Sequence, residues 1–196
     1  MTERKENFKF TWRIVAAHVM AYFIAGLFAM NLFNYDELFA SGTLLLFMKP
    51  TNAPVVALGP CLQMIRGIIM ALVLLPIRKV FTEEKYGFLK LGLLIFGLSV
   101  LSTFAAAFGS VDGFIYTKAS FVEQIIGYPE AIVWIFLFIG IVWIFYKFEK
   151  KTINIIAVVM FILIVLMSIA GYFQAVQNIS EISPPIIAQD FRIIIG

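Results

Sequence analysis

The stretch INIIAVVMFILIVLMSIAGY, at residues 153–172, is 20 residues long and contains no charged side chain. An α-helix needs about 20 predominantly apolar residues to cross the hydrocarbon core of a bilayer. Long runs of the same kind recur along the chain and together predict five spans. The predicted spans are residues 14–33, 54–76, 91–109, 131–147 and 153–172. We therefore expect an all-α integral membrane protein folded as a five-transmembrane-helix bundle.

The composition of the whole chain is typical of a membrane protein. Its 196 residues are 62% hydrophobic and only 14% charged, and the mean hydropathy is +0.96. A soluble domain has about 25% charged residues, and so few charges would leave large apolar patches in water. The prediction is a single transmembrane domain over residues 1–196, in which residues 173–196 form an extracytoplasmic tail.

The basic residues predict the orientation of the bundle. Most of the 15 Lys and Arg residues cluster at residues 4–13, 78–90 and 147–151, whereas the other three connections hold one each. Short cytoplasmic segments carry the excess of Lys and Arg. We therefore expect a cytoplasmic N-terminus and an extracytoplasmic C-terminus, in the plasma (inner) membrane of a prokaryote. This bias also accounts for the net charge of +3, which needs no nucleic-acid partner.

The first span and the outer loops carry further local signals. The first apolar run exceeds the roughly 7–15 residues of a cleavable signal peptide, so it is interpreted as an uncleaved signal anchor. Residues 38–48 are apolar but too short to span, and they are expected to lie in the membrane interface. A second short outer segment begins at Ser120, which forms a capping box with Glu123 and predicts one or two helical turns.

Arg66 is the one Lys or Arg in the interior of a predicted span, since Lys147 lies at the very end of the fourth. An arginine at membrane depth costs about 2.5–3.5 kcal/mol on insertion scales, so it is expected to have a partner and suggests a functional site. If the helix begins near Gly59, with Pro60 in its first turn, Arg66 lies about 9 Å from the outer end. The preferred partners are Asp112 and Glu130, because each lies near the outer end of a span.

A polar cluster is predicted around this guanidinium, in the outer half of the bundle. Its members are Arg66, Gln63, Asp112, Glu130, Asn31, Asn34, Ser110 and Tyr116. The cluster has three interpretations: a structural clamp between helices, a ligand-binding site, or a subunit interface. His18 lies nearer the cytoplasmic side and is expected to be a core histidine beside Tyr22, rather than a proton relay.

Three functions follow from these interpretations. The first is a non-enzymatic membrane protein whose outer pocket around Arg66 binds, or helps to transport, a small anionic or lipid-like ligand. The second is an accessory or assembly subunit that docks a membrane-protein partner, or a second copy of itself as a homo-oligomer, through its outer apolar segments and the small-residue face of Gly67 and Ala71. The third is an intramembrane enzyme acting on a lipid, with Asp112 or Glu130 as its base.

Catalytic and metal-binding motifs give little support to the third function. The chain has one His and one Cys, so it lacks the residues for the common zinc and disulfide motifs. No glycine-rich phosphate loop follows a strand pattern. We therefore predict no catalytic residues, no metal and no cofactor. The expected partners are the lipid bilayer itself and the ligands or proteins named above.

Overall fold

The computed structural model describes residues 3–103 and 105–182, with the side chains of 181 and 182 excepted. These residues form α-helices joined by turns, and no strand occurs among them. The helices are α1 (Glu3–Leu32), α2 (Tyr35–Phe39), α3 (Pro54–Ala57), α4 (Gly59–Leu74), α5 (Arg78–Thr82), α6 (Gly87–Phe96), α7 (Val111–Tyr116), α8 (Phe121–Ile125), α9 (Tyr128–Phe148) and α10 (Lys151–Ile182). The chain is therefore all-α over its described part.

Four helical segments are long and apolar enough to cross a membrane. They are Glu3–Leu32, Gly59–Thr82, Phe121–Phe148 and Lys151–Ser180. The second combines α4 with a 3-10 turn at Leu75–Ile77 and with α5, so the helical path continues past Pro76. As expected, α4 begins at Gly59 and has Pro60 in its first turn. Proline is tolerated there because the first turn has no intrahelical acceptor for its missing N–H.

The third predicted span, residues 91–109, needs correction. Helix α6 begins earlier, at Gly87, continues as the π-helical segment Gly97–Leu101, and ends there. Just beyond this point a side chain bonds to the backbone, since Thr103 Oγ1 donates to the carbonyl of Ala105 at 3.2 Å. Ser and Thr compete with helical hydrogen bonds in this way. This helix is therefore shorter than the four spanning segments.

The predicted extracytoplasmic tail begins within a helix. Helix α10 continues past residue 172 to Ile182, so the first ten residues of the predicted tail, 173–182, are helical. No Gly or Pro occurs between residues 173 and 182, and so no strong helix breaker ends the helix at Tyr172. The rest of the predicted tail, residues 183–196, lies outside the described residues.

Helix α1 is the centre of the bundle. It packs against α4, α9 and α10, while α6 packs against α9. In its most apolar window 56% of the residues are buried, compared with 17% in α10. Small side chains permit this packing, because helices approach closely where Cβ groups are small. The fully buried alanines of α1 are Ala16, Ala17, Ala21, Ala25 and Ala29.

The connections gather at two ends of the bundle. We call the end formed by residues 33–58 and 105–127 the loop end, and the end formed by residues 78–86 and 149–150 the turn end. At the loop end, Glu123 accepts hydrogen bonds from the backbone N–H groups of Thr43 and Ser120, both at 2.7 Å. The predicted capping box of Ser120 and Glu123 is confirmed. One carboxylate therefore joins the two long loops.

Candidate functional site

One face of α1 lies at the gap between α4 and α9. His18, Tyr22 and Gly26 are spaced four residues apart and therefore share this face. The His18 side chain forms a hydrogen bond with Gln63 of α4 and a ring contact with Trp134 of α9. The gap is therefore spanned by side chains at the level of His18.

His18 is fully buried, as expected. Its Nε2 lies 3.0 Å from Oε1 of Gln63, and because an amide oxygen only accepts, Nε2 carries the proton and donates. The ring stands edge-on to Trp134, with 5.4 Å between the centroids. The expected neighbour Tyr22 is farther away, at 6.4 Å between ring centroids. Nδ1 is then an acceptor that has no partner within residues 3–103 and 105–182.

Arg66 does not form the predicted buried ion pair. Its side chain is exposed, and its guanidinium carbon lies 5.2 Å from the centroid of the Trp134 ring. The ion pairs among the described residues all lie elsewhere, so neither Asp112 nor Glu130 pairs with Arg66. The cation is held against an aromatic face instead, an interaction worth about 0.5–2 kcal/mol.

A large cavity opens at the loop end, closer to that end of the bundle than His18 is. Its volume is about 1190 Å³. Most of its wall is apolar and includes Phe23, Leu27, Met30, Phe39, Phe47 and Val56. Its polar lining includes Asn31, Asn34, Tyr35, Asp36, Lys49 and Glu130. Three of the predicted cluster residues, Asn31, Asn34 and Glu130, therefore line one cavity.

The polar groups of the cavity hold its wall together. The Tyr35 hydroxyl donates to Oε2 of Glu130 at 2.5 Å, which ties the first loop to the start of α9. Burial raises the pKa of Tyr35 above its ordinary value, and the hydrogen bond to Glu130 raises it further. The phenol therefore remains a protonated donor at neutral pH. Thr51 likewise donates to Asp36, within the first loop.

Gln63 and Arg66 belong to the same neighbourhood without being part of the cavity wall. Tyr22 lines the cavity and lies next to both of them. The polar side chains of the cavity therefore lie nearest the loop end. The His18–Gln63 hydrogen bond lies deeper in the bundle, followed by Arg66. The cluster is less compact than predicted, because Arg66 turns toward the bundle exterior.

The remaining predicted residues, Ser110, Asp112 and Tyr116, lie in a separate loop cluster. Ser110 Oγ accepts the backbone N–H of Gly113 at 3.0 Å and so caps the start of α7. Buried Gln124 donates to the Gly113 carbonyl and accepts from the N–H of Gly109. Asp112 is only half-buried and Tyr116 is exposed on α7. This cluster shapes the loop and does not line the cavity.

Sequence reasoning missed the one fully buried cation among the described residues, Arg13. Its side chain is 1% exposed, its Nη1 lies 3.3 Å from Oε1 of Glu149, and its guanidinium covers the Tyr146 ring at 4.4 Å. The same carboxylate accepts from Lys9 at 2.7 Å. The cluster at 4–13 was interpreted as topology alone, but Arg13 lies four residues before buried Ala17. That spacing, which places both on one helix face, is the signal that was overlooked.

The two carboxylates that were candidate bases lie in different parts of the structure. Glu130 is hydrogen-bonded to Tyr35 in the cavity wall, whereas Asp112 lies on α7 in the loop cluster of Ser110. The two proposed bases therefore do not share a site. No group of three or more metal-ligating side chains occurs in the part of the chain that the structure describes. No protein-family model, curated protein or solved structure matches this chain. The site must therefore be interpreted from its own chemistry.

Proposed function

We propose that this protein is a non-enzymatic membrane protein whose loop-end cavity binds, or helps to transport, a lipid-like amphiphile. The observation that carries the proposal is the division of the cavity wall into apolar side chains and a group of amides, carboxylates and a phenol. Ligand pockets commonly have this character, with an apolar lining and a few polar groups that orient the ligand. About 1190 Å³ also exceeds the roughly 300–1,000 Å³ of common small-molecule sites.

The charges of the wall favour an amphiphile over a small free anion. Lys49 is the cation in the cavity lining, which also contains the two carboxylates of Asp36 and Glu130. Arg66, which sequence analysis placed at the centre of an anion pocket, does not line the cavity. A headgroup that donates hydrogen bonds or carries a cation suits this wall better than a bare anion does.

The accessory-subunit alternative loses its main support. Gly67 and Ala71 are buried against α1 within the chain, since a Cβ on Gly67 would lie 3.2 Å from the Cα of Val15. A small-residue face that already packs inside the protein is not free for a partner. We therefore keep ligand binding as the proposed function.

Filling the cavity tests this proposal. Gly26 lines the cavity and a Cβ placed there meets no atom within 4 Å, so the side chain of Gly26→Leu is expected to take up part of the cavity. We expect photo-crosslinking of a diazirine-labelled phosphatidylethanolamine to the cavity peptides to fall by about tenfold, equivalent to ~1.4 kcal/mol of binding. Cross-linked peptides from the reconstituted protein are quantified by mass spectrometry.

Gly140→Leu is the matched control for this experiment. Gly140 is also a helical glycine with open space around it, but it does not line the cavity. The control is expected to cross-link like the unmodified protein. Equal labelling of the cavity peptides in the Gly26→Leu and Gly140→Leu variants would refute the proposal.

We further propose that the chain crosses the membrane five times, with the N-terminus cytoplasmic, in the plasma membrane of a prokaryote, and with the first span as an uncleaved anchor. Packing of the loops supports five crossings. Phe108 contacts Phe47 at 5.8 Å between ring centroids, whereas Gly87 lies at the turn end against Phe81. Residues 87–108 therefore connect opposite ends of the bundle, although only part of this segment is helical.

Cysteine accessibility tests the number of spans. In a Cys61→Ala background, which removes the only cysteine, Lys118→Cys is expected to react with a membrane-impermeant maleimide in intact cells. Lys85→Cys is expected to react only after lysis, because the third span separates these two positions. If both positions reacted on the same side, the chain would cross the membrane an even number of times between residues 85 and 118, and the five-span proposal would be wrong.

A further inference from the structure

Arg66 lies at the edge of an exposed apolar surface of α4, with the half-buried Gln63 on its other side. The apolar residues of that surface are Leu62, Ile65 and Ile69, with 41%, 60% and 57% of their surfaces exposed. Exposed apolar side chains on a spanning helix face lipid, because the hydrocarbon core is the only environment that suits them. The cation therefore lies where acyl chains contact the protein.

Nothing within the described part of the chain neutralises this charge. No carboxylate lies within 4.0 Å of the Arg66 guanidinium there, since the ion pairs of that part involve Lys9, Arg13 and Lys90. The Trp134 ring offers an aromatic face at 5.2 Å but no acceptor for hydrogen bonds. An arginine has five N–H donors in a planar fork. Its environment therefore lacks an anion with acceptor oxygens.

The depth of Arg66 brings phosphate groups within its reach. Arg66 lies six residues, or about 9 Å of helix, below Pro60 in the first turn of α4. Side chains on a helix lean toward its N-terminus, which for α4 is the loop end. A long arginine side chain extends further in that direction to reach the membrane surface. The guanidinium is thus directed toward the phosphates of the leaflet at the loop end.

We propose that Arg66, backed by the Trp134 ring, binds the phosphate of an anionic phospholipid in the leaflet at the loop end. The guanidinium fork matches a phosphate with two parallel hydrogen bonds, while the acyl chains lie along Ile65 and Ile69. A net-anionic lipid is favoured because the site supplies one uncompensated positive charge and no carboxylate to attract a headgroup ammonium. This site is separate from the cavity, and it does not depend on the proposed function.

Lipid titration by native mass spectrometry of the detergent-solubilised full chain tests the site, with phosphatidylglycerol as the probe. Arg66→Leu is expected to weaken phosphatidylglycerol binding by about tenfold, whereas Arg66→Lys, which keeps a point charge but loses the fork, is expected to weaken it less. Arg66→Leu is expected to fold, because the side chain is exposed and surrounded by apolar neighbours. Its unfolding temperature provides the check on folding.

Two controls separate this site from the cavity. Lys49→Gln removes a cation of the cavity wall and Gly26→Leu fills the cavity, and both are expected to leave phosphatidylglycerol affinity unchanged. If these variants lost as much affinity as Arg66→Leu, the lipid would be in the cavity and the Arg66 proposal would fall. Unchanged affinity in Arg66→Leu would overturn it directly.

The same titration distinguishes the other anions that Arg66 can attract. Millimolar inorganic phosphate is expected not to compete with phosphatidylglycerol, because it lacks acyl chains to lie along α4. Full competition would assign the site to a free anion and contradict the proposal. A change from oligomer to monomer in Arg66→Leu, with unchanged lipid binding, would assign Arg66 to a protein interface and would also contradict it.

Discussion

Gly67→Leu is expected to lower the free energy of unfolding by about 3 kcal/mol or more, at the upper end of the cost of overpacking a well-packed site. A Cβ at this position would lie 3.2 Å from the Cα of Val15 and 3.5 Å from Cδ2 of His18. Because the first of these atoms belongs to the backbone, a leucine forces α1 and α4 apart. The His18–Gln63 hydrogen bond, which joins the same two helices, is expected to break as well.

Thermal or denaturant unfolding of the detergent-solubilised protein measures this effect. Gly140→Leu is again the matched control, because it introduces the same side chain into a helix where no atom lies within 4 Å of the new Cβ. The stability of Gly67→Ala is expected to lie between those of Gly67→Leu and Gly140→Leu, since one methyl group requires the neighbouring atoms to shift by only a few tenths of an ångström. Equal stability of Gly67→Leu and Gly140→Leu would show that α1 and α4 do not pack at this distance.

Glu149→Gln is expected to destabilise the protein by about 2 kcal/mol at pH 7, because it leaves the charge of Arg13 buried without a counter-charge. Removing one partner of a fully buried pair costs about 3–5 kcal/mol, and the 54% exposure of Glu149 reduces that figure by solvent screening. Glutamine keeps the backbone cost constant, since residue 149 has a positive φ of 30° with either side chain. Unfolding at fixed detergent concentration measures the difference.

The effect of Glu149→Gln depends on pH with a definite sign. The hydrogen bond from Lys9 holds the pKa of Glu149 below its ordinary value of 4.5, and the positive charges of Lys9 and Arg13 lower it further. A carboxyl group with a lowered pKa stabilises the fold above its unfolded-state pKa, and this stability is lost as the pH falls through the folded-state pKa. The wild-type protein and Glu149→Gln are therefore expected to converge in stability as the pH falls through the lowered folded-state pKa of Glu149.

Glu84→Gln provides the control for the turn-end cluster. Glu84 pairs with Lys90 at the same end of the bundle, but both side chains are about half exposed. Surface pairs of this kind contribute about 0–1 kcal/mol, so the loss should be small. If Glu84→Gln and Glu149→Gln lost the same amount of stability, the burial of Arg13 would have no energetic consequence.

Local signals in the sequence predicted some of the site well. The capping box of Ser120 and Glu123 forms as expected, because all of its atoms lie within one helical turn. The start of α4 at Gly59 also follows from local chemistry, since Pro60 suits only a first turn. The end of this helical segment at Leu101 was missed, because it lies within an apolar run that resembled a longer span.

The two arginines show the limit of sequence reasoning. Arg66 was expected to be buried with a partner, whereas Arg13 was counted only among the basic residues that predict orientation. In the structure Arg66 is exposed, and Arg13 is only 1% exposed. Burial of an ionisable side chain depends on which helix lies at the centre of the bundle, and α1 takes that place because its small residues allow three neighbours to pack around it.

The sequence by itself determined the all-α membrane class and the capping of α8 by Ser120 and Glu123, because apolar run length and local hydrogen bonds act over a few helical turns. Only the tertiary structure decided that Asn31, Asn34 and Glu130 share a cavity while Ser110, Asp112 and Tyr116 do not. The physical reason is that residues distant along the chain meet only where helices pack. Two contacts of this kind are the close packing of α4 on α1 at Gly67 and Val15, and the hydrogen bonds by which Glu123 joins the two long loops.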